Sequence, residues 1–388
     1  MPLPFLPYGR QSVDDSDIAA VAAVLRSDWL TTGPAVDAFE ADFAARVGAG
    51  HAIACSNGTA ALHLSLAALD VGPGDVCIVP AITFMATANA ALYCGAEVVF
   101  ADVDPETGLM TPHTLERAIS RAKGQALKAV LPVHLAGQCE DMAALRALAD
   151  GAGARLVEDA CHALGTTWRG KAVGACELSD AACFSFHPVK TIAAGEGGMV
   201  TTSDPELARR LRRLRSHGIE RDPARMEDGR DLPWWHEMQE LGWNYRLCDV
   251  QAALARSQLR RLDAFAEKRK AIAARYDALL AGHSFVSPLH RTPDCDPCLH
   301  LYPVRIDFGA TQLDRAGVMK ALHARGIGSQ VHYIPVPAQP WYRRRYGDQT
   351  PPGAAAYYAR TLSLPLFTDM SLDDPERVVD ALNEVLKV

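Results

Sequence analysis

The sequence predicts an α/β fold in which a mostly parallel sheet is covered by helices and followed by a smaller α+β unit. Helix-like and strand-like segments alternate through roughly the first two thirds of the chain, the pattern of strands joined by crossover helices. The strand-like segments are short and apolar throughout, as in strands buried on both faces. The 388 residues also exceed what one compact core usually holds. The expected division places a large unit with an N-terminal arm in residues 1–250, and a connector helix with the small unit in residues 251–388.

Taken in order, the first junction is "ACSNGTAALHLSLAAL", where a short apolar strand meets Ser56-Asn57-Gly58-Thr59 and then a helix. "VCIVP" (76–80), "EVVFADV" (97–103), "KAVLPVHL" (128–135) and "ARLVEDA" (154–160) are the clearest further strands. "TLERAISRAKG" (114–124) and "DMAALRALADGAG" (141–153) are helical patterns long enough to cross back over a sheet. Strand ends then gather along one edge, where such folds bind their ligands. "FSFHPVKTIAAGEGGMV" reads as strand, turn, strand. "RRLRRLR" (209–215) fits a helix with a solvated basic face, with phosphate binding as the other reading. A polar, turn-rich "DPARMEDGRDLPWW" (222–235) precedes a long helical stretch predicted from Asp249 to Leu280. "HLYPVRIDF", "DRAGVMKALHARGIG" and "SLDDPERVVDALNEVLKV" complete the small unit.

Composition narrows the function classes. Hydrophobic residues at 49% and charged residues at 22% are ordinary globular values, so neither disorder nor a fibrous class is expected. A net charge of −7 disfavours bulk attraction to nucleic acid or to an anionic membrane. "MPLPFLPYGR" lacks a basic segment followed by a long apolar core, and no apolar run approaches the ~20 residues of a membrane helix. A cytoplasmic protein is expected. Ten scattered cysteines agree with a reducing compartment. The lone "CDPC" (295–298) has no second pair, so it reads as a loop and no metal is expected.

Three places carry chemistry. At Ser56-Asn57-Gly58-Thr59 the first helical N–H groups lack internal partners, Gly58 permits close approach, and Thr59 offers a hydroxyl, which together suit a phosphate. The same residues also make a good N-cap. At "VEDACHALG" a strand ends in Glu158-Asp159, and a carboxylate at that edge needs a partner or serves as a cap. Such a carboxylate suits the protonated pyridine nitrogen of pyridoxal phosphate, and only one of the two acids can take that place; Asp159 lies further past the strand. Lys190 follows an apolar strand, has no charged neighbour until Glu196, and can form a Schiff base if burial lowers its pKa. A lysine snorkelling at the sheet edge is its structural alternative. Ser185 stands five residues earlier, and Gly195, Gly197 and Gly198 let the following backbone turn tightly and approach a bulky ligand.

In their order along the chain, "WLTTGPAVDAFE", "SNGTAALHL", "PAITFMATANA", "EDACHALGT", "FSFHPVKTI", "GEGGMV" and "LGWNYRLCDVQAAL" resemble the DegT/DnrJ/EryC1/StrS family of nucleotide-sugar aminotransferases. The resemblance spans nearly the whole chain. It implies the type I pyridoxal phosphate-dependent (aspartate aminotransferase) fold, with a large mixed, mostly parallel sheet and a smaller C-terminal α+β domain. It further implies that Lys190 bonds the cofactor and moves the proton, that Asp159 pairs with the pyridine nitrogen, and that Phe84 lies on the ring face. Gly58, Thr59 and Ser185 would hold the phosphate, His162 would sit near the phenolic oxygen, and Asn244 would reach the phosphate of a neighbouring subunit in a homodimer.

The branch of the family that removes a hydroxyl carries histidine at the lysine position, so Lys190 favours transamination with L-glutamate as donor. "PWWHEMQELGWNYRLCDVQAALARSQLRRLD", "HLYPVRI", "GSQVHYIPV" and "LSLPLF" resemble the pseudaminic acid branch, with Trp234, Trp235 and Trp243 keeping aromatic surface. That branch aminates C4 of a UDP-linked 4-keto-6-deoxy-N-acetylhexosamine, giving UDP-4-amino-4,6-dideoxy-N-acetyl-β-L-altrosamine, a precursor for flagellin and surface glycans. His332 and Tyr333 would approach the sugar or diphosphate, on what reads as a strand of the small unit. Amination of a GDP-perosamine or UDP-bacillosamine precursor is the alternative. A non-catalytic sugar-binding relative and an NAD-dependent oxidoreductase are the readings from other classes. The latter wants G-x-G-x-x-G after the first strand, which the sequence does not have there.

Overall fold

The computed structural model describes residues 4–387. Its main sheet has seven strands: β1 (His51–Cys55), β2 (Asp75–Pro80), β3 (Glu97–Ala101), β4 (Ala126–Val130), β5 (Arg155–Asp159), β6 (Ala181–Ser185) and β7 (Gly198–Thr202). The spatial order is β1-β7-β6-β5-β4-β2-β3. Six strands run parallel, and β7 alone is reversed, pairing antiparallel with both β1 and β6.

Period-two alternation within each strand sends side chains to two separate cores. Ile53 and Cys55 of β1, with Cys77 and Val79 of β2, face a core built with helix Gly58–Ala68. Ala52, Ala54 and Ile78 point the other way, into a core where Phe43 meets Phe39, Phe184 and Phe186 at ring distances of 5.9, 5.1 and 5.8 Å. Both faces are therefore covered, which explains why the strands read as continuous apolar runs.

The predicted helix from Asp249 to Leu280 is two helices, Asp249–Leu259 and Leu262–Leu279. No glycine or proline marks the break. Arg260 and Arg261 lie between them, and the Arg261 guanidinium reaches Asp14 at 2.6 Å and also pairs with the buried Asp17. A long-range ion pair at this point fastens the N-terminal arm, and local helix propensity could not reveal it.

The C-terminal part holds β8 (Val286–Pro288), β9 (Tyr302–Ile306) and β10 (Thr361–Leu364) in an antiparallel sheet with β9 central. Helices Leu262–Leu279, Arg315–Ala324 and Asp374–Leu386 complete its core, where Tyr276 stacks on Tyr302 at 4.6 Å. Between β8 and β9 the chain returns to the large sheet's surroundings, and Cys295–Asp296 pairs antiparallel with Thr167–Trp168. His332 and Tyr333 do not lie on a strand; only Gln330 bridges, to Ser363, and the chain then leaves the sheet. Pro335 lacks the N–H that a continuing ladder needs. Among the described residues, no helix is long and apolar enough to cross a membrane.

Candidate active site

The C-terminal end of β1, the C-terminal end of β6 and the start of β7 meet at one point. Gly198 is opposite Cys55 on one side and Ser185 on the other. A Cβ on Gly198 would come within 2.3 Å of the Asn57 carbonyl oxygen, so glycine lets the Ser56–Thr59 loop settle against β7. Gly197 packs near Phe186, and Gly195 adopts φ +78°. For Gly197 and Gly198 the close approach is thus to protein, where the sequence suggested a ligand. Gly198→Ala is expected to destabilise the fold by about 1–3 kcal/mol, the usual cost of overpacking, measurable by denaturant unfolding.

Asn57 caps helix Gly58–Ala68, its side-chain oxygen accepting from the Ala60 N–H at 2.8 Å, while its carbonyl accepts from the Ala61 N–H at 3.0 Å. The cap leaves the Gly58 and Thr59 N–H groups directed outward at the positive end of the helix dipole. Ser185 closes the other side, so near that a Cβ on Gly58 would meet the Ser185 Cβ at 2.8 Å. Capping and anion binding are therefore compatible roles of one loop.

Alternation along β5 separates the two acids. Glu158 turns to the far face, where its carboxylate accepts from His134 Nε2 at 2.7 Å and from the Ser179 hydroxyl. Asp159 turns toward the cavity and is buried; its Oδ2 accepts from the Thr87 hydroxyl at 2.7 Å and its Oδ1 from the Cys161 N–H at 3.2 Å. No helix begins after β5, so Asp159 is not a helix cap. Thr87 in turn lies 2.7 Å from the Thr83 hydroxyl, a chain that fixes the carboxylate's orientation.

Lys190 sits on the loop between β6 and β7, its backbone N–H donating to the His187 carbonyl at 2.8 Å. Burial pushes its pKa below the usual lysine value, opposed by the nearby Cys161 and Asp159. Among the described residues, no ion pair engages its amine. A desolvated, uncommitted amine is a better nucleophile and base than an ordinary lysine.

Around it lies a cavity of about 930 Å³. Gly58, Thr59, Ser185, Asp159 and Lys190 line its floor, and Phe84, His162, His332 and Tyr333 border it as well. Nine of the ten residues singled out from the sequence therefore converge. Phe84 is 53% exposed, its ring 6.1 Å from that of Tyr333. The tenth, Asn244, is exposed, bridges to Ser216, and does not border its own chain's cavity.

The imidazoles here are neutral. Burial, then the Lys190 charge and His332, hold His162 well below the usual histidine range. The Ala136 N–H donates to His162 Nδ1 at 3.3 Å, which leaves the proton on Nε2, 3.2 Å from the Tyr333 oxygen. Tyr333 is itself pushed well above its ordinary value, first by burial, then by the charge of Asp159. Its hydroxyl proton is thus retained. His332 is held down to about 3 by burial and Lys190, with Nδ1 2.8 Å from the Ser363 hydroxyl.

Three further neighbours carry no local signal in the sequence. Thr87 lay within "PAITFMATANA" and His300 within "HLYPVRI", but nothing local signals that Thr87 reaches Asp159 or that the His300 ring stands 4.4 Å from His162. Tyr8 reaches the cavity from the N-terminal arm.

A desolvated amine, a buried carboxylate and an anion cradle at a helix N-terminus border one cavity, and this donor set fits pyridoxal phosphate. Comparison with known proteins agrees. Residues 11–383 match the model of the DegT/DnrJ/EryC1/StrS aminotransferase family. The spore coat polysaccharide biosynthesis protein SpsC of Bacillus subtilis (strain 168) is 40% identical over 387 residues, covering 99% of this chain and 97% of that protein. Helicobacter pylori PseC, an aminotransferase of pseudoaminic acid biosynthesis, superposes with a TM-score of 0.89 at 28% identity, covering 99% of each chain. Spr1654 of Streptococcus pneumoniae, in its PMP-form, superposes with a TM-score of 0.90 at 30% identity, covering 98% of this chain and 99% of its own. The chain belongs to the DegT/DnrJ/EryC1/StrS aminotransferase family and is a pyridoxal phosphate-dependent sugar aminotransferase.

Proposed function

We propose that the enzyme transfers an amino group from L-glutamate to C4 of a UDP-linked 4-keto-6-deoxy-N-acetylhexosamine. The observation that carries this substrate is the likeness to PseC over 99% of both chains. The relationship to SpsC favours a second reading, amination of another keto-sugar nucleotide destined for a surface polysaccharide.

When bound, pyridoxal phosphate supplies an electrophilic carbon that exchanges amines and a ring that accepts the electrons of a broken C–H bond. The chain's residues do the rest. Gly58 and Thr59 N–H groups with the Ser185 hydroxyl bind the phosphate. Asp159, oriented by Thr87, keeps a proton on the pyridine nitrogen. Lys190 Nζ would anchor the cofactor, and its lowered pKa suits it to carry a proton at the substrate carbon. Phe84 would pack against the cofactor ring, and His162, whose Nε2 lies 3.2 Å from the Tyr333 hydroxyl, would sit near the cofactor's phenolic oxygen. His332 and Tyr333, contributed by residues 251–388, border the same cavity and meet the sugar or diphosphate. Residues 1–250 would thus carry the cofactor, with residues 251–388 lining the substrate side of the cavity.

Asn244 supports a shared active site because it is exposed and lies outside its own cavity. In the proposed homodimer it completes the partner subunit's phosphate site. A dimer is expected in sedimentation, with specific activity falling on dilution below its dissociation constant; full activity of the dissociated monomer would remove Asn244 from this role.

The substrate assay offers UDP-4-keto-6-deoxy-L-arabino-hexosamine, its D-xylo epimer, GDP-4-keto-6-deoxymannose and dTDP-4-keto-6-deoxyglucose, each with glutamate. The first should give the highest kcat/KM. Preference for the GDP sugar moves the enzyme to perosamine-type synthesis, and preference for the D-xylo epimer moves it to bacillosamine-type synthesis.

A further inference from the structure

All ten cysteines are free thiols. Most are buried, and burial pushes Cys55 and Cys77 up to about 12, where they are inert. One pair differs. Cys139 follows the turn Leu135–Gly137 beyond β4, and Cys295 opens the short strand that pairs with Thr167–Trp168. The two are 156 positions apart, yet the Cys139 N–H donates to the Cys295 Sγ at 3.3 Å. That contact sets one sulfur directly against the residue bearing the other. Cys295 is partly exposed and Cys139 is fully buried behind it.

The surroundings make the outer sulfur reactive. The Cys139 thiol, its backbone N–H, Thr292 and the nearby His134 together outweigh burial and lower Cys295 to about 6, with the bond from the Cys139 thiol the largest influence. That lowering favours the thiolate of Cys295, the nucleophilic form. Cys139 is pushed up, first by its interaction with Cys295 and then by burial, which favours its protonated form. Cys298, the other sulfur of "CDPC", is raised by burial and packs against Gly165.

We propose that Cys139 and Cys295 form a peroxide-sensitive dithiol that closes into a disulfide and couples the redox state to the active-site cavity. In the first step the Cys295 thiolate attacks one oxygen of hydrogen peroxide. The O–O bond breaks, hydroxide leaves and is protonated to water, and Cys295 becomes a sulfenic acid. The Cys139 sulfur then attacks the Cys295 sulfur, forming the S–S bond, while the S–O bond breaks and the hydroxyl departs with the Cys139 proton as water. Two thiols lose two electrons, and one peroxide becomes two waters.

The coupling follows from the chain on either side. Three residues before Cys139, Ala136 donates its N–H to His162 Nδ1 and accepts from the His300 N–H at 3.1 Å. Five residues after Cys295 comes His300, whose ring borders the cavity beside His162. A covalent bond between 139 and 295 would therefore act on the two segments that hold these imidazoles.

The test treats the purified holoenzyme with hydrogen peroxide and analyses a non-reducing digest by mass spectrometry. A cross-linked peptide pair containing Cys139 and Cys295, the loss of two titratable thiols and restoration by dithiothreitol are expected. Cys295→Ser, at a partly exposed position, should keep its cofactor absorbance and lose the cross-link. Cys139→Ser should stop at a Cys295 sulfenic acid trapped by dimedone. A Cys295–Cys298 bridge, or oxidation at Cys161 or Cys248 with this pair intact, overturns the assignment. Turnover should fall in the cross-linked protein and return on reduction; unchanged turnover in fully cross-linked protein overturns the coupling.

Discussion

Lys190→Ala is expected to lower kcat by about 10²–10⁴-fold from the lost proton transfer alone, before the loss of the covalent anchor is counted. Borohydride reduction of the wild-type holoenzyme should place a pyridoxyl group on the Lys190 peptide and abolish the visible absorption band. The variant should show neither. Other lysines are poor competitors: Lys171 is exposed and paired with Glu177 at 2.8 Å, and Lys128 borders a separate cavity with Arg155 and Asp180. An adduct on either one would overturn the assignment of Lys190. The variant should still fold, because its amine makes no ion pair among the described residues.

Asp159→Asn is the second large effect. The amide keeps the size of the carboxylate and can still accept from Thr87, so cofactor binding should persist. Its charge is gone, and a neutral partner cannot hold the pyridine nitrogen protonated. Removing one preorganised electrostatic partner of this kind costs about 10²–10³ in kcat. Steady-state kinetics with the cofactor spectrum measured in parallel separates lost chemistry from lost cofactor. Near-normal turnover would take Asp159 out of the mechanism. Glu158→Gln offers the contrast, since Glu158 lies on the opposite face with His134 and Ser179; its expected effect is on stability, read by thermal unfolding.

Much of the sheet was legible because apolar runs report burial directly. "VCIVP" and "ARLVEDA" are strands β2 and β5, and the segments flanking Lys190 are β6 and β7. Where structure departs from local pattern, the cause is distant in sequence. Arg261, at the break between two helices, pairs with Asp14 and Asp17 in the N-terminal arm, and nothing within the helical pattern marks the stop. His332 and Tyr333 alternate like strand residues, yet they leave the sheet to meet Ser363 and His162.

The sequence by itself determined the alternating α/β plan, the helix start at Gly58 and the set of chemically able side chains, because periodicity, capping and residue type are local properties. Only the tertiary structure decided which of them act together. The reversed strand β7 brings Gly198 between Cys55 and Ser185, and alternation on β5 sends Asp159 inward and Glu158 away. Cavity burial lowers the Lys190 amine and keeps three imidazoles neutral, and a backbone N–H sets Cys295 against Cys139. Each of these depends on desolvation or on contact between segments far apart in the chain, quantities that exist only once the chain has folded.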